Sequence, residues 1–219
     1  MKLNISRLKK SEINWMAAHK CRHFKPYIEH PSCYLQEVTD NSRIGYFDIE
    51  TSGFKADWSI MLCYCILDEK TDKISSQTLN KNDKNFDERI VRQCVKDIQS
   101  YDLIIGFYST RFDLPFIRTR ALIHGIDFPG YGALLHKDVY YMVRNKFALS
   151  RNRLENACRN LLGKTEKNHI NPDIWLNALM KRDKKSLDYI TDHCQRDVRD
   201  LKKLYHKIED FSKRSEKSI

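Results

Sequence analysis

The 219-residue sequence predicts an α/β sandwich: a mixed sheet flanked by helices, preceded by a small N-terminal extension. Three observations carry that prediction. Hydrophobic residues make up 41% of the chain and aromatics 11%, enough apolar surface for one core and too much for disorder over most of the length. Short apolar runs alternate with helix-spaced apolar stripes in the order β-β-β-α-β-α-β, and the remainder reads as helical. No repeat, Pro/Gly/Ser linker or low-complexity tract divides the chain.

Residues 1–42 read as an appendage, with a short helix beginning near Ser11 and then an irregular stretch rich in His and Cys. Arg43 to Thr51 is a strand of Ile and aromatic residues closed by Ser52–Gly53. Trp58 to Leu67 is a continuous apolar run, as in a strand buried on both faces. Lys73 to Leu79 is a weaker third strand after the polar turn Glu69–Asp72. Asp83 or Asn85 would cap a helix running to Gln99, with Ile90, Cys94 and Ile98 on one face. Asp102 to Phe107 is a fourth strand, Asp113 to His124 a helix stopped by Gly125, and Leu134 to Val139 a short fifth strand. A helix over Ser150–Leu162 ends at Gly163, a suitable glycine beyond a helix C-terminus. Asn171–Pro172 starts another, and the last helix runs from about Lys185 to Phe211.

Net charge is +10, and residues 137–185 carry +7 of it, with twelve Lys or Arg against five acids. That imbalance favours a polyanionic partner, most simply nucleic acid. No run of 18 apolar residues exists, so a membrane partner is not expected, and the first residues lack the apolar block of a secretory signal. Seven singly scattered cysteines argue against a disulfide framework and for an intracellular home, cytoplasm or nucleoid. Cys63, Cys65, Cys94, Cys158 and Cys194 read as small core residues.

Three acidic regions stand out. Asp48 and Glu50 are two residues apart in the first strand, so both project from one face of the sheet. Like charges side by side in an apolar strand are costly unless a cation neutralises them, although a strand end in solvent gives the same pattern. Asp113 opens a helix after a short strand, where alone it reads as a first-turn acid favoured by the helix dipole. In the last helix Leu187, Ile190, Cys194, Val198, Leu201, Tyr205 and Ile208 define the buried stripe. Asp197, seven residues after Ile190, falls only about 20° away from it. His193, one turn before Asp197, lies on the same side. A carboxylate on a buried face needs a metal, a cationic partner or a hydrogen-bond network.

In these positions the sequence resembles the DEDD-type 3′–5′ exonucleases of the RNase H-like superfamily. Phe-Asp-Ile-Glu-Thr-Ser-Gly (47–53) is similar to their first motif, Gly-Phe-Tyr-Ser-Thr-Arg-Phe-Asp-Leu-Pro-Phe (106–116) to the second, and His-Cys-Gln-Arg-Asp-Val (193–198) to the third. The likeness covers about residues 43–211 in order, and is greatest to stand-alone RNase H-like nucleases akin to the proofreading domains of family B DNA polymerases. It implies an RNase H-like five-stranded mixed sheet over 43–212, and residues 213–219 read separately as a basic tail. It implies that Asp48, Glu50, Asp113 and Asp197 hold two Mg²⁺ or Mn²⁺ ions and that His193 orients or deprotonates the attacking water. Thr51, Tyr108, Arg111 and Phe112 would touch substrate, with Arg144 and Lys146 of the basic stretch. The substrate would be the 3′ end of single-stranded nucleic acid, DNA before RNA, and the resemblance allows a polymerase or repair partner. Two departures are visible: the third motif has His-x₃-Asp where the family usually has Tyr-x₃-Asp or His-x₄-Asp, and Tyr108 stands where Asn is common. A nucleic-acid-binding or partner-recruiting module without turnover, or an RNase H-like endonuclease, are the other readings of this fold.

Cys21-x-His23-x₆-His30-x₂-Cys33 is a four-ligand set suited to a structural Zn²⁺, although its spacing matches no standard finger. Unrelated surface histidines and buried free cysteines would give the same residues. In the basic stretch Tyr140, Tyr141, Phe147 and Trp175 interleave with the cations, an arrangement suited to stacking on unpaired bases.

Overall fold

The computed structural model describes residues 8, 10–37, 43–130, 134–166 and 171–212. The expected tail over 213–219 therefore lies outside the described residues, as do the first seven residues and 38–42 of the extension. Elements follow in the order α1 (Lys10–Ala18), α2 (Pro31–Glu37), β1 (Ile44–Thr51), β2 (Met61–Asp68), β3 (Ile74–Thr78), α3 (Glu88–Ile98), β4 (Leu103–Gly106), α4 (Asp113–Ile123), β5 (Leu135–Asp138), α5 (Val139–Lys146), α6 (Leu154–Leu161), α7 (Pro172–Lys181) and α8 (Lys184–Ile208), with a closing 3-10 turn over Glu209–Ser212.

The sheet order is β3-β2-β1-β4-β5. The three strands of the first meander pair antiparallel, joined by a loop over 52–60 and a turn over 69–73. β4 and β5 are reached through helices and pair parallel, so the sheet is mixed, as expected. β2 is buried along almost its whole length because helices cover both its faces. Side-chain alternation assigns those faces. Tyr64 donates to Asp97 of α3 at 2.6 Å. Its neighbour Cys65 points the opposite way and contacts the Thr191 carbonyl of α8 at 3.9 Å. Cys63, Cys65 and Cys194 are all fully buried free thiols, and their small size lets α8 lie close to the sheet.

Register then fixes the first two acids. Asp48 is directly opposite Cys65 and Glu50 opposite Cys63. Cross-strand partners share a face, so both carboxylates project toward α8. A shift in register follows between Glu50 and Thr51. Such a bulge bends the strand where its pairing ends.

Several boundaries differ from expectation. β2 begins at Met61, not Trp58. Trp58 belongs to a turn, its N–H bonded to the Lys55 carbonyl, and is 90% exposed. Helix α3 begins at Glu88 because Asp83 and Asn85 are used otherwise: Asp83 takes the Arg89 guanidinium and the Asn80 N–H, and Asn85 donates to Glu88. Asp87, the residue before α3, is wholly buried; it accepts from Met61 N at 2.7 Å, the Arg120 guanidinium (Nε at 3.0 Å) and His124 (2.8 Å). Arg120 also donates to the Ala56 carbonyl, so this ion pair ties α3 and α4 to the loop before β2. The helix placed at Ser150 starts at Leu154, and the last helix ends at Ile208. Two helices were not expected: α2, inside the His- and Cys-bearing stretch, and α5, which follows β5 without a loop because Asp138 caps it through Tyr140 N.

Buried apolar side chains form two clusters. The large one fills both faces of the sheet, and a small one holds Met16, Cys21, Tyr27, Cys33 and Tyr34 of the N-terminal segment.

Candidate active site

The third acidic region lies where its helical period puts it. The whole stripe from Leu187 to Ile208 is buried, and His193 and Asp197 are buried with it. Cys194 contacts the Asp48 carbonyl at 3.4 Å, which clamps this turn of α8 onto β1 beside the acids. His193 Nε2 lies 3.7 Å from Glu50 and 4.0 Å from Asp197. Donor atoms of these three residues all lie within 4.8 Å of one another. Trp175 from α7 meets the imidazole nearly perpendicular to it, with ring centres 5.9 Å apart. Asp48 is half-buried on the same strand face as Glu50, with its Oδ2 turned away from solvent.

Asp113 arrives from the opposite direction. β4 pairs with β1 only over Ile44–Tyr46, so the β1 amides beyond that point have no strand beside them on that edge. Asp113 fills the gap: its Oδ1 accepts the N–H of Ile49, the residue between Asp48 and Glu50, at 3.2 Å. It is thus both a first-turn helix acid and a neighbour of the strand acids. Burial pushes its carboxyl up to about 7, against the pull of its own N–H and that of Ile49, and the Asp138 charge adds to the rise. A buried acid so reluctant to ionise is what an electropositive occupant would relieve.

The loop before Asp113 is held by a residue the sequence reading left out of the site. Asp138 accepts Tyr108 N at 2.8 Å, Thr110 N at 2.9 Å and Tyr140 N at 3.0 Å. Tyr108 has φ 62°, a left-handed conformation that a bulky side chain adopts only under outside support. Ser109 is buried and bonded to His136 of β5 at 2.7 Å, and burial lowers that histidine below the usual range. A Cβ at Gly106 would collide with the Ser109 side chain, so glycine is required there. The sequence signal for Asp138 was its place at the end of β5, level with Gly106 in the parallel ladder.

The expected substrate residues are mixed in their placement. Thr51 spends its hydroxyl on the Gly53 carbonyl, 2.8 Å away. Tyr108 and Arg111 are exposed; the Arg111 guanidinium reaches Tyr141 at 3.4 Å, and Tyr108 meets Tyr140 at 4.8 Å between rings. Phe112 is half-buried and packs on Phe54, which is itself 88% exposed. Arg144 and Lys146 are exposed on α5. Phe54 and Trp58 were missed as candidates, since an apolar run reads as core until a turn puts it outside. Other members of the basic stretch serve the fold: Lys137 donates to Tyr205, and Arg182 donates to the Asn80 and Asp83 carbonyls. Phe147 packs on Phe211, and Trp175 on His193, so neither is an open stacking platform.

The chain belongs to the RNase_H superfamily, whose family model matches residues 45–209. Among solved structures it is similar to the family B DNA polymerase from the hyperthermophilic archaeon Pyrobaculum calidifontis, with a TM-score of 0.62 and 17% identity. That match covers 78% of this chain and 25% of the polymerase; at such identity the likeness is one of fold. No curated protein matches the chain by sequence. Among the described residues no helix is long and apolar enough to cross a membrane.

Proposed function

We propose that this protein is a metal-dependent 3′–5′ exonuclease acting on single-stranded nucleic acid, with DNA the favoured substrate, and releasing nucleoside 5′-monophosphates. The observation that carries the reading is convergence. Glu50, His193 and Asp197, from two elements more than 140 residues apart in sequence, bring their donor atoms within 4.8 Å, and Asp113 is bound to the amide between Asp48 and Glu50. The donor set is hard carboxylate oxygen with one imidazole, which fits Mg²⁺ or Mn²⁺. Asp48, Glu50, Asp113 and Asp197 would hold two such ions, which when bound supply a water nucleophile at neutral pH and charge stabilisation at the leaving 3′-oxygen.

His193 has the geometry of a proton carrier. Its Nε2 faces the carboxylates, so a proton taken from the attacking water is held there as an imidazolium flanked by Glu50 and Asp197. Water adds its oxygen to phosphorus, the bond from phosphorus to the 3′-oxygen breaks, and that oxygen leaves with a proton. Phe54 and Tyr108 are exposed rings beside the loop that carries Asp113, Phe54 packing on Phe112, and would serve unstacked bases. Arg111, Arg144 and Lys146 supply positive charge for the phosphate backbone. The preference for DNA leans on the likeness to a DNA polymerase.

The test is incubation of 5′-labelled single-stranded DNA and RNA with Mg²⁺, Mn²⁺ or EDTA, beside Asp48→Ala. A metal-dependent ladder shortening from the 3′ end, absent in the variant, is expected. Cutting of a circular strand would replace the reading with an endonuclease, and bound but intact substrate would replace it with a binding module.

A further inference from the structure

We infer that Cys21, His23, His30 and Cys33 form a closed, tetrahedral Zn²⁺ site that organises the N-terminal segment and is independent of the carboxylate centre. The four side chains come from two short pieces of backbone. The first is a tight knuckle: Lys20 and Pro26 bridge, Cys21 N donates to the Lys25 carbonyl at 2.9 Å, and Phe24 N donates to the Cys21 carbonyl at 2.8 Å. Phe24 takes the left-handed conformation, φ 62°, that lets the chain reverse between Cys21-x-His23 and Lys25. The second is the start of α2, where His30 immediately precedes Pro31 and Cys33 N donates back to the His30 carbonyl at 3.0 Å. A knuckle and a helix start, each offering one sulfur and one imidazole, face one another.

The distances describe a coordination shell better than a set of pairwise hydrogen bonds. Cys21 Sγ lies 3.8 Å from His23 Nδ1 and 3.6 Å from His30 Nδ1. Cys33 Sγ lies 3.3 Å and 4.0 Å from the same two atoms. Each sulfur thus faces both imidazoles, whereas a thiol has one proton to donate. With Zn–S near 2.3 Å and Zn–N near 2.05 Å, the sulfur-to-nitrogen edge of a regular tetrahedron is about 3.6 Å. The four observed edges straddle that value. All four ligand atoms fall within 4.8 Å of one another.

Packing points the same way. Among the described residues the small cluster around this group has five buried side chains, and two of them are the ligand cysteines themselves. A segment of this size lacks the apolar area to hold a fixed shape unaided, and a structural metal is the usual substitute for a core. The ligand chemistry selects the ion: two thiolates and two imidazoles suit Zn²⁺ and do not suit the hard cations expected at the carboxylates. Four protein ligands leave no open position, so the site is structural.

The full-length chain, purified under reducing conditions without chelator, is expected to carry one zinc per molecule by elemental analysis. Glu50→Ala/Asp197→Ala should retain it, and Cys21→Ser/Cys33→Ser should lose it. Cobalt added to the zinc-stripped wild-type protein should give the intense visible bands of tetrahedral Co²⁺ with thiolate-to-metal charge transfer in the near ultraviolet. Zinc that survives the cysteine substitutions, or leaves with the carboxylates, would overturn the inference. So would folded wild-type protein that holds no zinc and gives no charge-transfer band, a measurement that stands even where the cysteine variant fails to fold.

Discussion

Replacing Asp138 by alanine deletes three backbone acceptor contacts at once, and the structure allows the loss to be sized. Tyr140 N at 3.0 Å is the helix-cap bond of α5, worth about 1 kcal/mol. Tyr108 N at 2.8 Å and Thr110 N at 2.9 Å are bonds to an ionised group. These run from about 1.5 kcal/mol upward, and their solvent access puts them at that lower end. The expected destabilisation is therefore about 4 kcal/mol, or a fall of about 8–16 °C in Tm for a chain of this length. Asp138→Asn is the informative partner. Its carbonyl can still receive Tyr108 and Tyr140, but its amide presents donors to the Thr110 N–H, so about 1.5 kcal/mol is expected. Urea unfolding followed by circular dichroism measures both. Because the same loop delivers Asp113 to β1, nuclease activity should fall in the order wild type, Asn, Ala. An alanine variant as stable as wild type, or indistinguishable from the asparagine variant, would show that the left-handed Tyr108 turn stands without its buckle and that the reasoning fails.

Other outcomes follow from named contacts. His193→Ala should lower turnover about 10²–10⁴-fold with substrate affinity little changed, read from steady-state kinetics on a 3′-ended oligonucleotide. Arg120→Met strands the fully buried Asp87 with fewer partners and should cost about 3–5 kcal/mol in denaturant unfolding, whereas breaking a surface pair such as Arg92–Glu88 should cost far less. Burial opposes ionisation of Asp83, but the Arg89 fork and the Asn80 N–H outweigh it and hold the carboxyl below its ordinary value. Its stabilising contribution is therefore present above about pH 4 and lost as the pH falls through the lower folded value, so Asp83→Asn should flatten the acid limb of a stability–pH curve. If Arg144 and Lys146 each touch one phosphate, Arg144→Ala and Lys146→Ala should each reduce the slope of log affinity against log salt by about 0.7 for a single strand.

What the sequence made legible was whatever periodicity encodes. Alternation put Asp48 and Glu50 on one face, helical period put His193 and Asp197 in the buried stripe of α8, and the structure places them so. The mixed character of the sheet was readable from where helices intervene between apolar runs, whereas its spatial strand order was not read from the sequence. What stayed hidden depends on contacts between distant backbone segments. Trp58 looks like strand core until the turn at Lys55–Ser59 turns it outward. Asp87 drew no reading at all, since Asp83 or Asn85 looked like the cap, and its partners Arg120 and His124 arrive from more than 30 residues downstream. Asp138 looks like a strand end, and only the parallel pairing of β4 with β5 brings it level with the loop it holds. Within the basic stretch composition could not say which cations face solvent: Lys137 and Arg182 reach internal acceptors, whereas Arg144 and Lys146 are exposed.

The truncated pairing of β4 has a consequence for when the site comes into existence. Along the second half of β1 one edge is completed by Asp113 instead of by a strand, and the face above it by a helix that closes the described fold. Neither local hairpin formation nor early helix formation assembles anything competent, since the decisive partners of Asp48 and Glu50 are about 65 and 145 residues downstream. The grouping of Glu50 with His193 and Asp197 therefore exists only once α8 has docked on β1. A chain in which α8 has not docked would lack that grouping while keeping its net charge of +10. Metal affinity at the proposed site, measured during refolding, should rise with tertiary packing and not with secondary structure.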